Sequence, residues 1–184
     1  LLYPILAAVL SYSLCDVEYK NYGFRLLFTR PMSKVTVYSS KIVFLLEIIF
    51  ISSLIGYLTF LLSGFALDKL LPGYKFSSYN VNTLMASYFS YLFIALSAVS
   101  FIQYNLSLIF KSFVLPIGFA SLMTIFGIIA QNKDYAYLIP YSTVWRLNYC
   151  VYSGIINFSK SEYASIAYVP FFIVISFFVF IRKK

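Results

Sequence analysis

Long apolar runs separated by short polar segments are the main pattern along this chain. The runs cover about residues 1–15, 41–67, 84–110, 113–131 and 163–181. A helix needs about 20 apolar residues to cross a bilayer, so every run except the first is long enough to span. Runs of this length indicate helices and not the short alternating strands of a membrane barrel. We therefore predict an all-α integral membrane protein whose residues 1–184 form a single transmembrane domain.

The first run is too short to span on its own. It starts at Leu1 with no basic residue ahead of it, whereas a secretory signal peptide needs a basic region before its apolar core. We interpret the run as the end of a span that begins upstream. One further helix, the first, is expected upstream, and together with the five visible segments it would make a six-helix bundle.

Composition supports a membrane location. The apolar fraction is 61%, the charged fraction is 11% and the mean hydropathy is +0.85. An ordinary globular domain is nearer half apolar and a quarter charged. The surplus of apolar side chains is expected to face lipid.

Basic residues divide unequally between the two sets of loops. If residues 16–40 lie inside, nine of the fourteen Lys and Arg residues are internal and five are external. The internal set is Lys20, Arg25, Arg30, Lys34, Lys41, Lys111, Arg182, Lys183 and Lys184, and the external set is Lys69, Lys75, Lys133, Arg146 and Lys160. Because cytoplasmic loops carry the excess of positive charge, we predict that 16–40 and the C-terminus are cytoplasmic. The charges alternate with the spans and form no single basic face, so nucleic acid is not an expected partner.

The predicted external segment 132–162 is rich in aromatic residues around a break at Pro140. Tyrosine and tryptophan prefer the headgroup layer of a membrane. Ser142 is a candidate N-cap for a short helix over about 143–153, which Gly154 would end. We predict an interfacial helix on the outer leaflet, with either a simple anchoring role or a part in transport.

The chain carries few groups suited to catalysis or ligand binding. It has no histidine, no Gly-x-Ser-x-Gly motif and no Gly-rich phosphate loop followed by Lys and Ser or Thr. Cys15 and Cys150 lie far apart in sequence and on opposite sides of the predicted membrane, without metal-ligand spacing around them. We expect neither a disulfide, a metal, a cofactor nor catalytic residues in this chain, so any energy source must lie elsewhere.

Glu47 is an acidic residue inside the predicted 41–67 span. A charge at the centre of a bilayer costs about 2.5–3.5 kcal/mol, so it needs a compensating arrangement. One interpretation is structural: the side chain snorkels to the inner interface or pairs with a base such as Lys41 or Lys111. The other places Glu47 in a translocation pathway or in a link to the cytoplasmic loop.

Small residues, most of them serines, recur on one face of the 84–110 run. Ala86, Ser90, Ser97 and Ser100 follow helical spacing. Small residues let helices approach closely, and a polar stripe lining a substrate path is the alternative interpretation. Gln103 and Asn105 near the end of this run suggest that its last turn leaves the hydrocarbon.

The inner loop 16–40 is amphipathic but too polar to cross a membrane. Tyr19, Tyr22 and Leu26 can enter the interface while Lys20 and Arg25 stay in water, and the proline at 31 ends a short helix. From these residues alone, an inert connector and a docking segment both remain open.

Two stretches of the sequence resemble ABC-2 type permeases. The first comprises Glu18, Gly23, Arg25-Leu26-Leu27, Pro31-x-Ser33-Lys34 and Lys41, with Phe24 where many members carry Thr or Ser. The second, residues 103–118, is similar to the link between the fourth and fifth helices in the lantibiotic-immunity branch of that family.

The resemblance implies a six-helix permease that dimerises with a second copy or a paralogue and works with a cytosolic ABC ATPase subunit. ATP and Mg would bind to that ATPase. The residues implied for ATPase coupling are Glu18, Gly23, Arg25, Leu26, Leu27, Phe28, Arg30, Pro31 and Lys34, within a cytoplasmic coupling helix. Glu47, Ser90, Ser97 and Ser100 are candidates for the translocation pathway.

The resemblance also implies the class of function. Members of this branch sit in the bacterial cytoplasmic membrane and expel peptide antibiotics, drugs or other amphiphiles, although fold does not determine substrate. A non-transporting assembly or sensor subunit built on the same helices is the alternative. An intramembrane enzyme is disfavoured because catalytic groups are lacking.

Overall fold

The fold of the described residues is helical. The computed structural model describes residues 2–19, 33–70, 81–154 and 156–182, and within these ranges the regular structure consists of helices. They are α1 (Leu2–Tyr19), α2 (Lys34–Leu70), α3 (Val81–Ile109), α4 (Val114–Ala130), a 3₁₀ helix (Asp134–Leu138), α5 (Pro140–Ser153) and α6 (Lys160–Arg182). Each of the five predicted apolar runs is helical, so the all-α prediction is confirmed.

Three helices have the length and composition of membrane spans. These are α2, α3 and α6, with 37, 29 and 23 residues. The apolar helices α1 and α4 are shorter, with 18 and 17 residues. At about 1.5 Å per residue, α4 extends over about 26 Å and falls short of a hydrocarbon layer about 30 Å thick. Three candidate spans are thus established, and the count of five stays a prediction.

The connector between α1 and α2 is shorter than the predicted loop 16–40, because α1 continues to Tyr19 and α2 already begins at Lys34. Ser33 accounts for the early start of α2. Its Oγ accepts a hydrogen bond from the Thr36 N–H at 3.1 Å, which is the geometry of a helix N-cap. The serine of the Pro-x-Ser-Lys motif therefore has a local structural role.

The α3 helix lies at the centre of the bundle and packs against α1, α2, α4, α5 and α6. The apolar window of α3 is 72% buried, compared with 22% for α2 and 17% for α6. Ala95, Ser97, Ala98 and Ser100 are all buried on it. Such small side chains allow several helices to approach one axis.

Successive long helices run in opposite directions, which gives the bundle two distinct ends. We call one the connector end: it holds the last turn of α1, the first turn of α2, residues 110–113 and the last turn of α6. The other, the α5 end, holds the start of α3, the end of α4, the 3₁₀ helix, α5 and the start of α6. Contacts of Lys34 with Ile181 and of Tyr88 with Asn148 illustrate the two groupings.

The α5 helix differs from its prediction at one terminus and matches it at the other. It begins at Pro140 with Ile139 as N-cap, so Ser142 is not the capping residue and instead donates to the carbonyls of Ala136 and Ile139. Gly154 ends the helix with φ 70°, as expected for a glycine C-cap.

The first turn of α5 is buried in the bundle, so this helix does more than lie on a membrane surface. It packs against α3 and α4. A Cβ added at Gly127 of α4 would lie 2.9 Å from the Ser142 nitrogen, so glycine allows the two backbones to meet.

Candidate functional site

Side chains at the connector end tie α1 to the central helix. The Tyr19 hydroxyl lies 2.7 Å from the Ser107 carbonyl and 2.9 Å from the Leu108 carbonyl, to which it donates. The Tyr12 hydroxyl donates to the Lys111 carbonyl at 3.2 Å. All three acceptors belong to the last turn of α3 or the link that follows it. A displacement of the α1 terminus is therefore transmitted directly to α3.

Two lysines tie the start of α2 to other helices at the same end. Lys34 Nζ donates to the Ile181 carbonyl of α6 at 3.2 Å, and Lys41 Nζ donates to the Leu14 carbonyl of α1 at 3.0 Å. A positive charge at a helix C-terminus also interacts favourably with the helix dipole. The residues on both sides of the 20–32 segment are thus anchored to the bundle.

Most residues implied for coupling lie outside the described residues. These are Gly23, Arg25, Leu26, Leu27, Phe28, Arg30 and Pro31, and for Glu18 only the helical backbone is described. Lys34 is the member of the set with a described side chain. The coupling role itself stays a prediction.

The serine stripe on α3 divides into an exposed and an enclosed part. Ser90 is exposed, whereas Ser97 and Ser100 are buried, and Ser97 Oγ donates to the Phe93 carbonyl at 2.7 Å. The Ser100 carbonyl accepts from Ser11 Oγ of α1 at 3.2 Å. Both buried serines lie within helix packing, which fits the close-packing interpretation; their place on a translocation pathway stays a prediction.

Glu47 lies on the exposed side of α2 and forms no ion pair or hydrogen bond with the described residues. Neither Lys41 nor Lys111 pairs with Glu47 in this part of the chain, and snorkelling of Glu47 to the inner interface stays a prediction. Lys41 donates instead to Leu14, and the side chain of Lys111 is exposed. These contacts do not test whether Glu47 lies on the translocation pathway.

The end of α3 carries a buried polar cluster that the sequence prediction missed. Gln103 Nε2 donates to the Tyr141 hydroxyl at 2.5 Å, and Asn105 Nδ2 donates to the Phe172 carbonyl of α6 at 2.9 Å. Gln103 is fully buried and Asn105 nearly so, hence both side chains are enclosed by helices. Whether the last turn of α3 leaves the hydrocarbon stays a prediction. Burial raises the pKa of the Tyr141 phenol, although the bond from Gln103 opposes this, so Tyr141 is neutral at physiological pH.

An ion pair at the α5 end was also missed. The Arg146 guanidinium contacts the carboxylate of Glu162, whose side chain is 0% exposed. The other oxygen of Glu162 accepts from the backbone N–H and the hydroxyl of Ser159, both at 2.7 Å. The sequence did contain a signal for the role of Glu162. Ser159 and Glu162 form the Ser-x-x-Glu pattern of a capping box, which marks the start of a helix. Its partner Arg146 follows only from the packing of α5 on α6.

An aromatic cleft of about 510 Å³ opens between α2, α3 and α5. Its walls include Phe60, Tyr88, Phe89, Trp145 and Tyr152. Among its polar atoms, Asn148 Oδ1 accepts from the Tyr88 hydroxyl at 2.6 Å. The cleft has the volume and apolar character of a site for a small or medium-sized amphiphile.

Within the described ranges, no group of three or more potential metal ligands is found. Long apolar helices around a largely buried central helix define the class of this protein as an integral membrane protein with several helices. The sequence profile described as ABC-2 family transporter protein matches residues 1–127, and the chain belongs to that family.

A curated relative extends the comparison. The chain is 28% identical over 149 residues to the bacitracin transport permease protein of Bacillus licheniformis. This alignment covers 77% of the chain and 65% of the relative, so the chain spans about two thirds of that protein's length. No solved structure shows significant similarity to the chain.

Proposed function

We propose that this chain is the membrane-spanning permease subunit of an ATP-driven exporter in the bacterial cytoplasmic membrane. A separate cytosolic ABC ATPase binds ATP and Mg and supplies the energy, because the chain itself has no phosphate-binding loop. Membership of the ABC-2 family supports the transporter class.

The observation that carries the mechanism is the anchoring of both flanks of segment 20–32. Tyr19 on one flank bonds to α3, and Lys34 on the other bonds to α6. An ATPase that pushes on the segment between them would move α1 and α2 together with the helices that they contact. The coupling residues implied by the resemblance all lie in or beside this segment.

The proposed orientation places the connector end in the cytoplasm. That end holds Lys34, Lys41, Lys111 and Arg182, whereas the α5 end holds Lys69, Lys133, Arg146 and Lys160. By sequence position, the segments outside the described residues add Lys20, Arg25, Arg30, Lys183 and Lys184 to the first group and Lys75 to the second. The excess of positive charge at the connector end supports this orientation.

The proposed substrate is a peptide antibiotic, a drug or another amphiphile, moved by two permease copies or by a permease and its paralogue. The name of the Bacillus licheniformis relative supports a peptide antibiotic, since that protein is described as a bacitracin transport permease. The aromatic cleft at the α5 end supports an amphiphile, because it presents several rings and few polar groups. Glu47, Ser90, Ser97 and Ser100 are retained as candidate pathway residues.

The test is co-purification of the ATPase with the permease, together with ATP-driven substrate transport in proteoliposomes. Leu27→Asp places a charge in the proposed docking segment and is expected to abolish co-purification, since interface energy concentrates in a few desolvated side chains. Leu138→Asp makes the same change on a half-exposed leucine of the α5 end and is expected to retain the ATPase.

If Leu26→Asp, Leu27→Asp and Phe28→Asp each co-purify with as much ATPase as the wild type does, the segment is only a connector. Binding of the ATPase without ATP-driven transport by the wild-type pair would instead assign the chain to a sensor or assembly subunit.

A further inference from the structure

A second pocket at the α5 end differs in character from the aromatic cleft. It has a volume of about 260 Å³, large compared with the roughly 30 Å³ that one water molecule occupies in the liquid. The end of α4, the 3₁₀ helix and the starts of α5 and α6 form its walls. Gln131, Lys133, Asp134, Arg146 and Lys160 all line it. Charged side chains from several elements therefore meet in its wall.

Two lysines whose ammonium groups have no acidic partner among the described residues give this pocket positive charge. Lys133 and Lys160 are exposed and come from different parts of the chain, and their ammonium groups form no ion pair or hydrogen bond with the described residues. Arg146 in the wall is paired with the buried Glu162. Asp134 is the acid that lines the pocket, so two free ammonium groups stand against one carboxylate. The net charge of the pocket favours an anion.

Most other polar groups in the wall are already engaged. Ser142 Oγ donates to two backbone carbonyls, and Ser159 Oγ donates to Glu162. Gln131 forms no hydrogen bond through its side chain with the described residues and can donate from its amide. Arg146 Nε is likewise buried without an acceptor in this part of the chain. The available groups of the pocket are thus mainly donors.

The position of the pocket relative to the membrane indicates which anion it binds. Tyr137, which lines the pocket, is 40% exposed, and Tyr135, next to the lining residue Asp134, is 49% exposed. Exposed tyrosines on a membrane protein concentrate at the depth of the lipid headgroups. Phosphate is the anion that membrane lipids present at this depth, and lysine binds it as a point charge.

We propose that this pocket binds a phosphate group through Lys133 and Lys160. The group belongs either to the headgroup of an anionic lipid or to a soluble phosphate. The site is separate from the proposed coupling segment, which lies at the opposite end of the bundle.

The experiment uses the full chain in detergent micelles and phosphatidylglycerol with a dansyl-labelled acyl chain. Trp145, the one tryptophan of the sequence, is adjacent to Arg146 and serves as the donor for energy transfer to dansyl. Phosphatidylglycerol is expected to bind more tightly than phosphatidylcholine with the same acyl chains. Lys133→Gln and Lys160→Gln are each expected to weaken phosphatidylglycerol binding about fivefold, the usual effect of one lysine at a membrane surface.

Two further variants separate a site from general surface charge. Lys69→Gln removes a positive charge at the same end, where Lys69 lies 4.6 Å from the Phe65 ring and outside the pocket, and should leave binding unchanged. Asp134→Asn removes the acid of the pocket and should tighten binding. Equal weakening by Lys69→Gln and the two pocket variants, or equal binding of the two lipids, overturns the proposal.

Titration with inorganic phosphate identifies the source of the group. If inorganic phosphate displaces phosphatidylglycerol from the wild type, and if the affinity of the protein for inorganic phosphate depends on Lys133 and Lys160, the site accepts soluble phosphate. If it displaces nothing while the two lysines still determine lipid binding, the site is specific for a lipid headgroup. A normal thermal unfolding midpoint for each variant confirms that the exposed substitutions leave the fold intact.

Discussion

The two ends of the bundle are held together by different kinds of contact. At the connector end, Tyr12, Tyr19, Lys34 and Lys41 donate from the tips of long side chains to backbone carbonyls of other helices. At the α5 end, a buried carboxylate pairs with Arg146 and the backbones of α4 and α5 meet at Gly127.

This difference suggests a division between a movable end and a fixed end. Long side chains can follow a carbonyl through small helix displacements, and each such bond contributes only about 1 kcal/mol. A buried ion pair and a backbone contact tolerate little displacement, because a partner that moves away leaves an uncompensated charge or a steric gap. The movable end is also the end that carries the proposed coupling segment.

The largest expected effect concerns the side of the membrane on which each end lies. In a variant with Cys15 and Cys150 replaced by alanine, Ser153→Cys probes the α5 end and Ser112→Cys probes the connector end; both serines are exposed. A membrane-impermeant maleimide applied to intact cells is expected to label Ser153→Cys fully and Ser112→Cys only after permeabilisation. The reverse pattern would invert the proposed topology.

The next largest effect is expected from breaking the ion pair. Glu162→Gln leaves the Arg146 guanidinium without its counter-charge and is expected to lower the free energy of unfolding by about 3 kcal/mol. The measurement is the thermal unfolding midpoint of the purified protein. The double variant Arg146→Gln/Glu162→Gln removes both charges and should recover much of the loss. If single and double variants unfold alike, the pair does not stabilise the α5 end.

A smaller effect is expected at the contact between α4 and α5. Gly127→Ala places a Cβ 2.9 Å from the Ser142 nitrogen and 3.0 Å from the Tyr141 carbonyl carbon, so the backbones must separate at a cost of about 1–3 kcal/mol. Gly118→Ala in the same helix is the matched control, because a Cβ there meets nothing within 4 Å. Alanine at 118 should stabilise the helix by about 0.5–1 kcal/mol. Opposite shifts of the unfolding midpoint are therefore expected, and equal shifts would contradict the close contact.

The helices were predictable because long apolar runs leave the backbone few alternatives in lipid. Gly154 was equally readable as a helix end, since the left-handed conformation there favours glycine. The buried contacts of Gln103 and Asn105 could not be predicted, because a polar residue in an apolar run can be satisfied either by water beyond the hydrocarbon or by a partner on another helix. Only the packing of α5 and α6 on α3 distinguishes them.

The candidate site was less predictable for the same reason. Ser-x-x-Glu at 159–162 indicates a helix start, but its long-range partner Arg146 comes from a different helix. Conversely, Glu47 was expected to have a partner because a charge in lipid is costly, and its side chain lies on the exposed face of α2. Of these local patterns, Gly154 predicted a helix end correctly, whereas Ser142 was wrong as an N-cap, the partner of Arg146 was not predicted, and the lysines expected to pair with Glu47 do not do so among the described residues.

The smallest expected effect on stability, and the sharpest test of a movable connector end, comes from Tyr19→Phe. The change removes the hydroxyl that lies 2.7 Å and 2.9 Å from the carbonyls of Ser107 and Leu108 and keeps the ring. It is expected to lower the free energy of unfolding by about 1 kcal/mol. Tyr152→Phe is the matched control, because that side chain is 89% exposed and should be neutral.

The informative measurement on Tyr19→Phe is the ratio of substrate transported to ATP hydrolysed in proteoliposomes containing the permease and its ATPase. If α1 transmits motion to α3 through this hydroxyl, the ratio falls while ATPase binding is retained. If the bond is merely structural, Tyr19→Phe loses stability but keeps the wild-type ratio of substrate transported to ATP hydrolysed. In that case the proposed link from the coupling segment to the bundle passes to Lys34, whose Nζ donates to the Ile181 carbonyl, and Lys34→Gln would be expected to lower the ratio instead.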